Sequence, residues 1–223
     1  MTDNAVLDPT LRVERALGRS GAPWLIACDE VGRGAIAGPV AVGMVMVETK
    51  RRTFPEGLRD SKLLSEPRRE ELAPLCAEWV AFSAVGLASA EEVDRLGLTA
   101  CLGLAGARAL AGLMDAGAET DGVPILLDGS FDYLSRSLPR PSRVTARIKA
   151  DRDCASVAAA SVIAKVHRDR LMIGYDSEVP GYHWASNKGY GSPAHLAAID
   201  ALGPSRHHRV SWLATPSLLP DPA

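Results

Sequence analysis

Apolar residues along the chain fall into short blocks separated by glycine-rich or charged turns, and the period inside each block predicts its element. Trp24 to Cys28 and Pro39 to Val47 are near-continuous apolar runs with glycines between them, the pattern of two paired antiparallel strands. Trp79 to Leu87, Val123 to Leu127 and Arg143 to Lys149 predict three more strands, the last two running into Asp128 and Asp151. Ser65 is placed to cap a helix from Glu66 to about Glu78, with Pro67 tolerated in its first turn and Pro74 expected to kink or shorten it. A helix beginning at about Ala90 or later puts Leu98, Leu102, Ala105, Ala109 and Leu113 on one face. Residues 155–172 predict a second long helix, whose many small residues let it lie close against a sheet. Ser192, Pro193 and the Gly203-Pro204 pair bracket one short helix near the end.

The length, 223 residues, allows one well-filled core and little more, so the chain divides into an N-terminal segment (1–23), an α/β domain (24–174) and a C-terminal helical extension and tail (175–223). No apolar run approaches the roughly 20 residues of a membrane span. The N-terminus carries acids and no apolar signal core, so a cytoplasmic protein without a membrane partner is expected. Cys28, Cys76, Cys101 and Cys154 are too dispersed for a zinc ribbon or disulfide framework and are expected to be buried. The histidines form no H-x-x-x-H pair, and His207 and His208 lie in a polar segment that suggests solvated surface. A net charge of −2 decides little about nucleic acid, because such binding needs only a local basic stripe.

Asp29, Asp128 and Asp151 each follow an apolar run, and strand ends in an α/β sheet gather at one rim. Carboxylates brought together there repel unless a cation or protons neutralise them, and an all-oxygen donor set suits Mg²⁺ or Mn²⁺. Singly, an acid after a strand is most often a turn residue or helix cap, which is the favoured reading of Asp128 in LDGS taken alone; Asp121, Asp132 and Asp153 are left in that role. Glu30, adjacent to Asp29, would face the opposite side of a regular strand, so a shared site requires a bend there.

The segments CDEVGRG (28–34) with GPV (38–40), RDSK (59–62), LDG (127–129), KAD (149–151), AAASVIAKVHRD (158–169) and NKGYG (187–191) together resemble the ribonuclease HII family, in order and spacing, over residues 24 to about 212. The resemblance implies an RNase H-like fold: a five-stranded mixed sheet flanked by helices, with a small C-terminal helical extension. It implies Mg²⁺ or Mn²⁺ held by Asp29, Glu30, Asp128 and Asp151, substrate contacts from the Gly32, Arg33 and Gly34 loop, and a junction-reading Tyr190. Lys62, Lys165, Arg168 and Lys188 match positions near the substrate backbone, with a structural salt bridge through Asp169 as the alternative for Lys165 and Arg168. Ala150 stands where the family commonly has glycine and His167 where threonine is frequent. The loop glycines make physical sense in such a protein, since distinguishing a ribonucleotide requires contact with its 2′-OH, which backbone N–H and C=O groups can make where no Cβ keeps the ligand away.

The implied activity is hydrolysis of the RNA strand of RNA–DNA hybrids, and of the bond 5′ to ribonucleotides embedded in duplex DNA, leaving 3′-OH and 5′-phosphate ends. A monomer serving DNA replication and repair is the matching biological reading. Two alternatives stand beside it. A ribonuclease HIII-like nuclease shares the chemistry but carries an N-terminal substrate-binding domain, against about 23 residues before the first strand here. A non-catalytic nucleotide-binding module would need a phosphate loop, yet two acids precede the glycines and no G-K-[ST] follows.

Overall fold

Strands that are apolar on both faces require helices on both sides of a sheet. β1 (Trp24–Val31) pairs antiparallel with β2 (Val40–Glu48), and β2 pairs antiparallel with β3 (Phe82–Ala88). On its other side β1 runs parallel to β4 (Ile125–Asp128), which runs parallel to β5 (Val144–Arg147). The order β3-β2-β1-β4-β5 is the expected five-stranded mixed sheet. The computed structural model describes residues 8–140 and 142–213.

The period of two along the strands divides the core. Leu25, Ala27, Val45 and Val47 face α6 (Ala155–Glu178), together with α1 (Arg12–Arg19) and α2 (Glu66–Trp79). Ile26, Cys28, Val42 and Met44 face α4 (Leu98–Asp115), which follows α3 (Ala90–Leu96). Small residues bring α6 close: a Cβ on Gly43 of β2 would meet the Ala160 carbonyl. α5 (Ala150–Asp153), α7 (Trp184–Asn187), α8 (Pro193–Leu202) and α9 (Val210–Leu213) complete the chain. Tyr182, Trp184 and Ala198 form a small third core with Met172 and Ala37, so the tail packs more apolar surface than its composition suggests.

Local signals placed most elements, and the departures have physical causes. α8 has the expected cap, with Ser192 Oγ accepting from the His195 N–H, and Ser65 caps α2. α2 nevertheless continues through Pro74, which lies on its exposed side where water can replace the missing hydrogen bond. Trp79 ends α2 instead of opening β3, its indole N–H donating to the Thr53 carbonyl at 2.8 Å. Gly97, at φ 79°, divides α3 from α4. α4 is long and apolar enough to cross a membrane by length and composition, contrary to the expected absence of such a run, but its face from Cys101 to Leu113 is buried on the sheet. All four cysteines are free and buried. α1 was not foreseen.

Candidate active site

β1 does not end before the acids. Its antiparallel ladder continues through Asp29 opposite Gly43, Glu30 opposite Val42 and Val31 opposite Ala41. The expected bend is therefore absent, and the two side chains point to opposite faces, as a regular strand dictates. Asp29 is buried on the α6 side, where the Ser161 hydroxyl bonds it; Ser161 Oγ lies 2.8 Å from Ser61 Oγ. Glu30 is held on the other side, with Tyr133 Oη donating to Oε2 at 3.3 Å and Arg33 Nη1 lying 3.5 Å from Oε1. The acids can share one rim because β4 stops beside them: Cys28 pairs with Leu127, and Asp128 is the last residue of β4.

Asp151 is not at a strand end. β5 closes at Arg147, and Lys149 in the left-handed region turns the chain into α5, which carries Asp151. The Asp151 N–H donates to Asp128 Oδ1 at 3.2 Å, so Asp128 also fulfils the turn-capping role weighed for it. Asp132 and Asp153 behave as local residues, the first accepting from Leu134 and Ser135, the second pairing with Arg147.

The carboxylates feel one another. Burial raises Asp29 well above the usual range, with Glu30 and Asp128 adding to the effect. Burial and then Asp128 raise Glu30. Burial, Asp128 and Asp60 push Asp151 up to about 6. Lys62 supplies the counter-charge at 3.5 Å from Asp151 Oδ2; burial opposes its ionisation, but Asp29, Asp60 and Asp151 outweigh that and raise its affinity for the proton. Asp60 caps the short 3-10 turn Ser61–Leu63 through the Lys62 N–H, which fixes the direction of Lys62.

The loop at 32–34 is stitched from behind to the tail. The Gly189 carbonyl accepts from the Ile36 and Ala37 N–H groups at 2.9 and 3.0 Å, setting Tyr190 beside the glycines. Gly32 has φ 80°, and a Cβ there would run into the Arg168 guanidinium; around Gly34 a Cβ would meet nothing. Tyr190 is 36% exposed, enough to offer a ring face, and Arg168 Cζ lies 5.5 Å from its centroid.

The basic residues divide. Arg33 and Lys62 are exposed at the rim. Arg168, expected near the substrate, is wholly buried and donates to the carbonyls of Pro39, Lys188 and Ala37; burial lowers its affinity for the proton, and it acts inside the fold. Lys188 is also buried, donating to the Ala185 carbonyl and lying 3.2 Å from Glu66. Lys165 sits between both Asp169 oxygens at 2.5 and 2.6 Å, the structural alternative weighed for it.

A sequence profile for ribonuclease HII matches residues 26–215. The chain belongs to the ribonuclease HII family. Ribonuclease HII of Streptomyces griseus is 49% identical over 208 residues, covering 92% of this chain and 84% of the relative. Among solved structures, the PCNA:RNase HII complex from Archaeoglobus fulgidus matches with TM-score 0.62 and 27% identity, over 84% of this chain and 94% of that one. Bst-RNase HIII in complex with Mn²⁺ matches with TM-score 0.65 and 25% identity, over 88% of this chain and 69% of that one. As a member of this family the chain is an endoribonuclease of the ribonuclease H type.

Several residues that shape this ribonuclease HII site carry no signal in the sequence. Arg209 is fully buried and donates to the carbonyls of Gly32, Arg33 and Gly38, holding the glycine loop from below; burial and the nearby Arg168 lower its pKa to about 10. His208 is buried, not solvated as expected, and lies 3.0 Å from His195, whose Nδ1 is 2.9 Å from the Tyr190 carbonyl. Tyr133, buried against Glu30, belongs to no motif. Ser61 and Ser161 do lie in the RDSK and AAASVIAK segments, but only the fold brings them together.

Proposed function

We propose that the chain hydrolyses the RNA strand of RNA–DNA hybrids and cuts on the 5′ side of ribonucleotides embedded in duplex DNA, leaving 3′-OH and 5′-phosphate ends, as a cytoplasmic monomer serving replication and repair. The observation that carries this reading is the meeting, at one sheet rim, of four carboxylates, three of which burial and their acidic neighbours hold above the usual range, beside an open glycine and an exposed tyrosine.

Asp29, Glu30, Asp128 and Asp151 would hold Mg²⁺ or Mn²⁺. Among the described residues no three histidine, cysteine or acidic side chains already form a ligating group. The fit rests on the donor chemistry: an all-oxygen set in which burial and then acidic neighbours raise the proton affinities of Asp29, Glu30 and Asp151 suits a hard divalent cation. When bound, such ions supply the charge that activates water and steadies the leaving oxygen in phosphodiester hydrolysis.

The chain's own residues handle the substrate. Lys62 and Arg33, both exposed at the rim, neutralise the phosphates of the substrate. The backbone at Gly34 approaches the 2′-OH with no Cβ in the way, and Tyr190 stacks on the next nucleotide, where a second 2′-OH would crowd it. Mapping the products from a duplex with one embedded ribonucleotide tests this reading. A single cut 5′ to the ribonucleotide with ligatable 3′-OH ends is expected; cuts on the 3′ side, or in all-DNA duplex, would overturn it.

A further inference from the structure

We propose that a basic cavity at the opposite end of the sheet from the carboxylates binds single-stranded nucleic acid. The cavity measures about 710 Å³ and is lined by Arg15 and Arg19 of α1, Trp24 at the start of β1, and Glu48, Lys50 and Arg52 around the end of β2. Trp24 pairs with Glu48 in the β1–β2 ladder, five residues before Asp29, which at the rise of a strand places the cavity roughly 17 Å from the carboxylates along β1. It is therefore no part of the site described above, and the inference does not depend on that site's chemistry.

The charge here is one-sided in a chain whose net charge is −2. Among the described residues neither Arg19 nor Arg52 pairs with an acid, and Glu48 has only the exposed Lys50, 3.7 Å away. α1 brings no compensating acid to this face. Its Glu14 is turned inward and fully buried, accepting from the Ser156 N–H at 3.0 Å and the Ser156 hydroxyl at 2.7 Å. Arg15 donates to the carbonyls of Arg51 and Arg52, which fastens the helix to the basic turn and keeps both walls in place before any ligand arrives.

Shape and composition select the ligand. Guanidinium and ammonium groups beside Trp24, whose half-buried indole packs on the core and lines the cavity with the rest of its surface, combine phosphate binding with a stacking surface, the pairing used for single strands. A cavity of this size falls in the roughly 300–1,000 Å³ range of sites that enclose small groups, so it admits a nucleotide or two. A double helix, with its bases stacked inside, could not present one to Trp24. An acidic peptide would satisfy the cations and leave the indole without a partner.

The test uses the full chain in EDTA with a fluorescein-labelled oligothymidylate of about eight nucleotides, which contains no ribonucleotide to cleave. Binding by anisotropy should weaken steadily with added salt. Paired substitution of the two exposed arginines, Arg19→Glu with Arg52→Glu, should reduce affinity tenfold or more while thermal unfolding stays unchanged. Trp24→Phe should abolish the quenching of indole fluorescence by the strand. Lys62→Glu, at the carboxylate rim, should alter affinity less than twofold. Equal binding by the paired variant and wild type would overturn the proposal. So would loss on Lys62→Glu alone, which would place the strand at the active site. Equally tight binding of blunt duplex DNA, or equal competition by polyglutamate, would overturn the choice of ligand.

Discussion

The buried histidine pair makes the tail, and with it Tyr190, sensitive to acid. The Ser205 N–H donates to His208 Nδ1 at 2.8 Å, so the His208 proton is on Nε2 and is given to His195 Nε2 at 3.0 Å. The Trp184 indole N–H also donates to His195 Nε2, at 3.0 Å, which leaves the His195 proton on Nδ1, facing the Tyr190 carbonyl. Each of these N–H bonds is made with both rings neutral, and a proton added to His195 Nε2 or His208 Nδ1 meets an N–H already pointing at it, with the Ser205 hydroxyl, 3.0 Å from His208 Nδ1, as the acceptor within reach of the latter. Burial, then His195, lowers His208 from 6.5 to about 4, and burial lowers His195 as well. A folded-state pKa below the unfolded value means that the unfolded chain takes up the proton first, so stability is complete above pH 6.5 and falls as pH drops towards 4. For His208 alone the linkage gives a loss of about 2 kcal/mol between about pH 7.5 and pH 5. Asp151, raised to about 6, works in the opposite direction, stabilising the fold as pH falls, so the wild-type slope by itself is ambiguous. Comparison with His208→Gln, whose amide can still donate to His195 but does not titrate, isolates the His208 contribution. Urea unfolding without divalent metal should show wild type losing about 2 kcal/mol more than His208→Gln over this interval. Equal losses would refute the reasoning.

Four further outcomes follow from the same geometry. Gly34→Ala should leave thermal stability unchanged, because its Cβ enters open space, yet slow cleavage of both hybrid and single-ribonucleotide substrates; Gly32→Ala should lower the melting temperature, since φ is 80° and Arg168 occupies the space. Tyr190→Ala should cost tenfold or more in initial rate at an embedded ribonucleotide, from the loss of about 1–3 kcal/mol of stacking, and less within a long hybrid. Lys165→Ala should leave the salt dependence of duplex binding unchanged and lower the urea midpoint, because Lys165 is committed to Asp169; a salt slope reduced by about 0.9 would restore it to phosphate contact. Without metal, Asp128→Asn should melt at or above the wild-type temperature at neutral pH, as one repelling charge is removed; a large fall would mean that the charge strengthens the bond accepted from the Asp151 N–H by more than the repulsion costs.

What the sequence disclosed depended on the range of the forces involved. The cap of α8 was legible because Ser192, Pro193 and Gly203 act on their immediate neighbours. The strands were legible because apolar blocks between turn residues have few other uses. Asp29, Asp128 and Asp151 were legible as a set from their places after apolar runs, and their motifs added Glu30, yet Asp151 proved to lie on a short helix set by the left-handed Lys149, a conformation that no pattern announces. Arg168 looked like a phosphate contact because an arginine in a motif is ambiguous until its burial is known. Arg209 could not have been found, since the carbonyls it holds lie 171 to 177 residues away in the chain.

The most direct test of the account is the initial rate of cleavage of an RNA–DNA hybrid and of a duplex with one embedded ribonucleotide, measured for wild type and Asp128→Asn in Mg²⁺, in Mn²⁺ and in EDTA. The account predicts cleavage of both substrates by wild type with either ion and none in EDTA. It predicts a loss of a hundredfold or more for Asp128→Asn, with duplex binding retained and the circular dichroism spectrum unchanged. Near-normal cleavage by Asp128→Asn, or undiminished cleavage in EDTA, would contradict it.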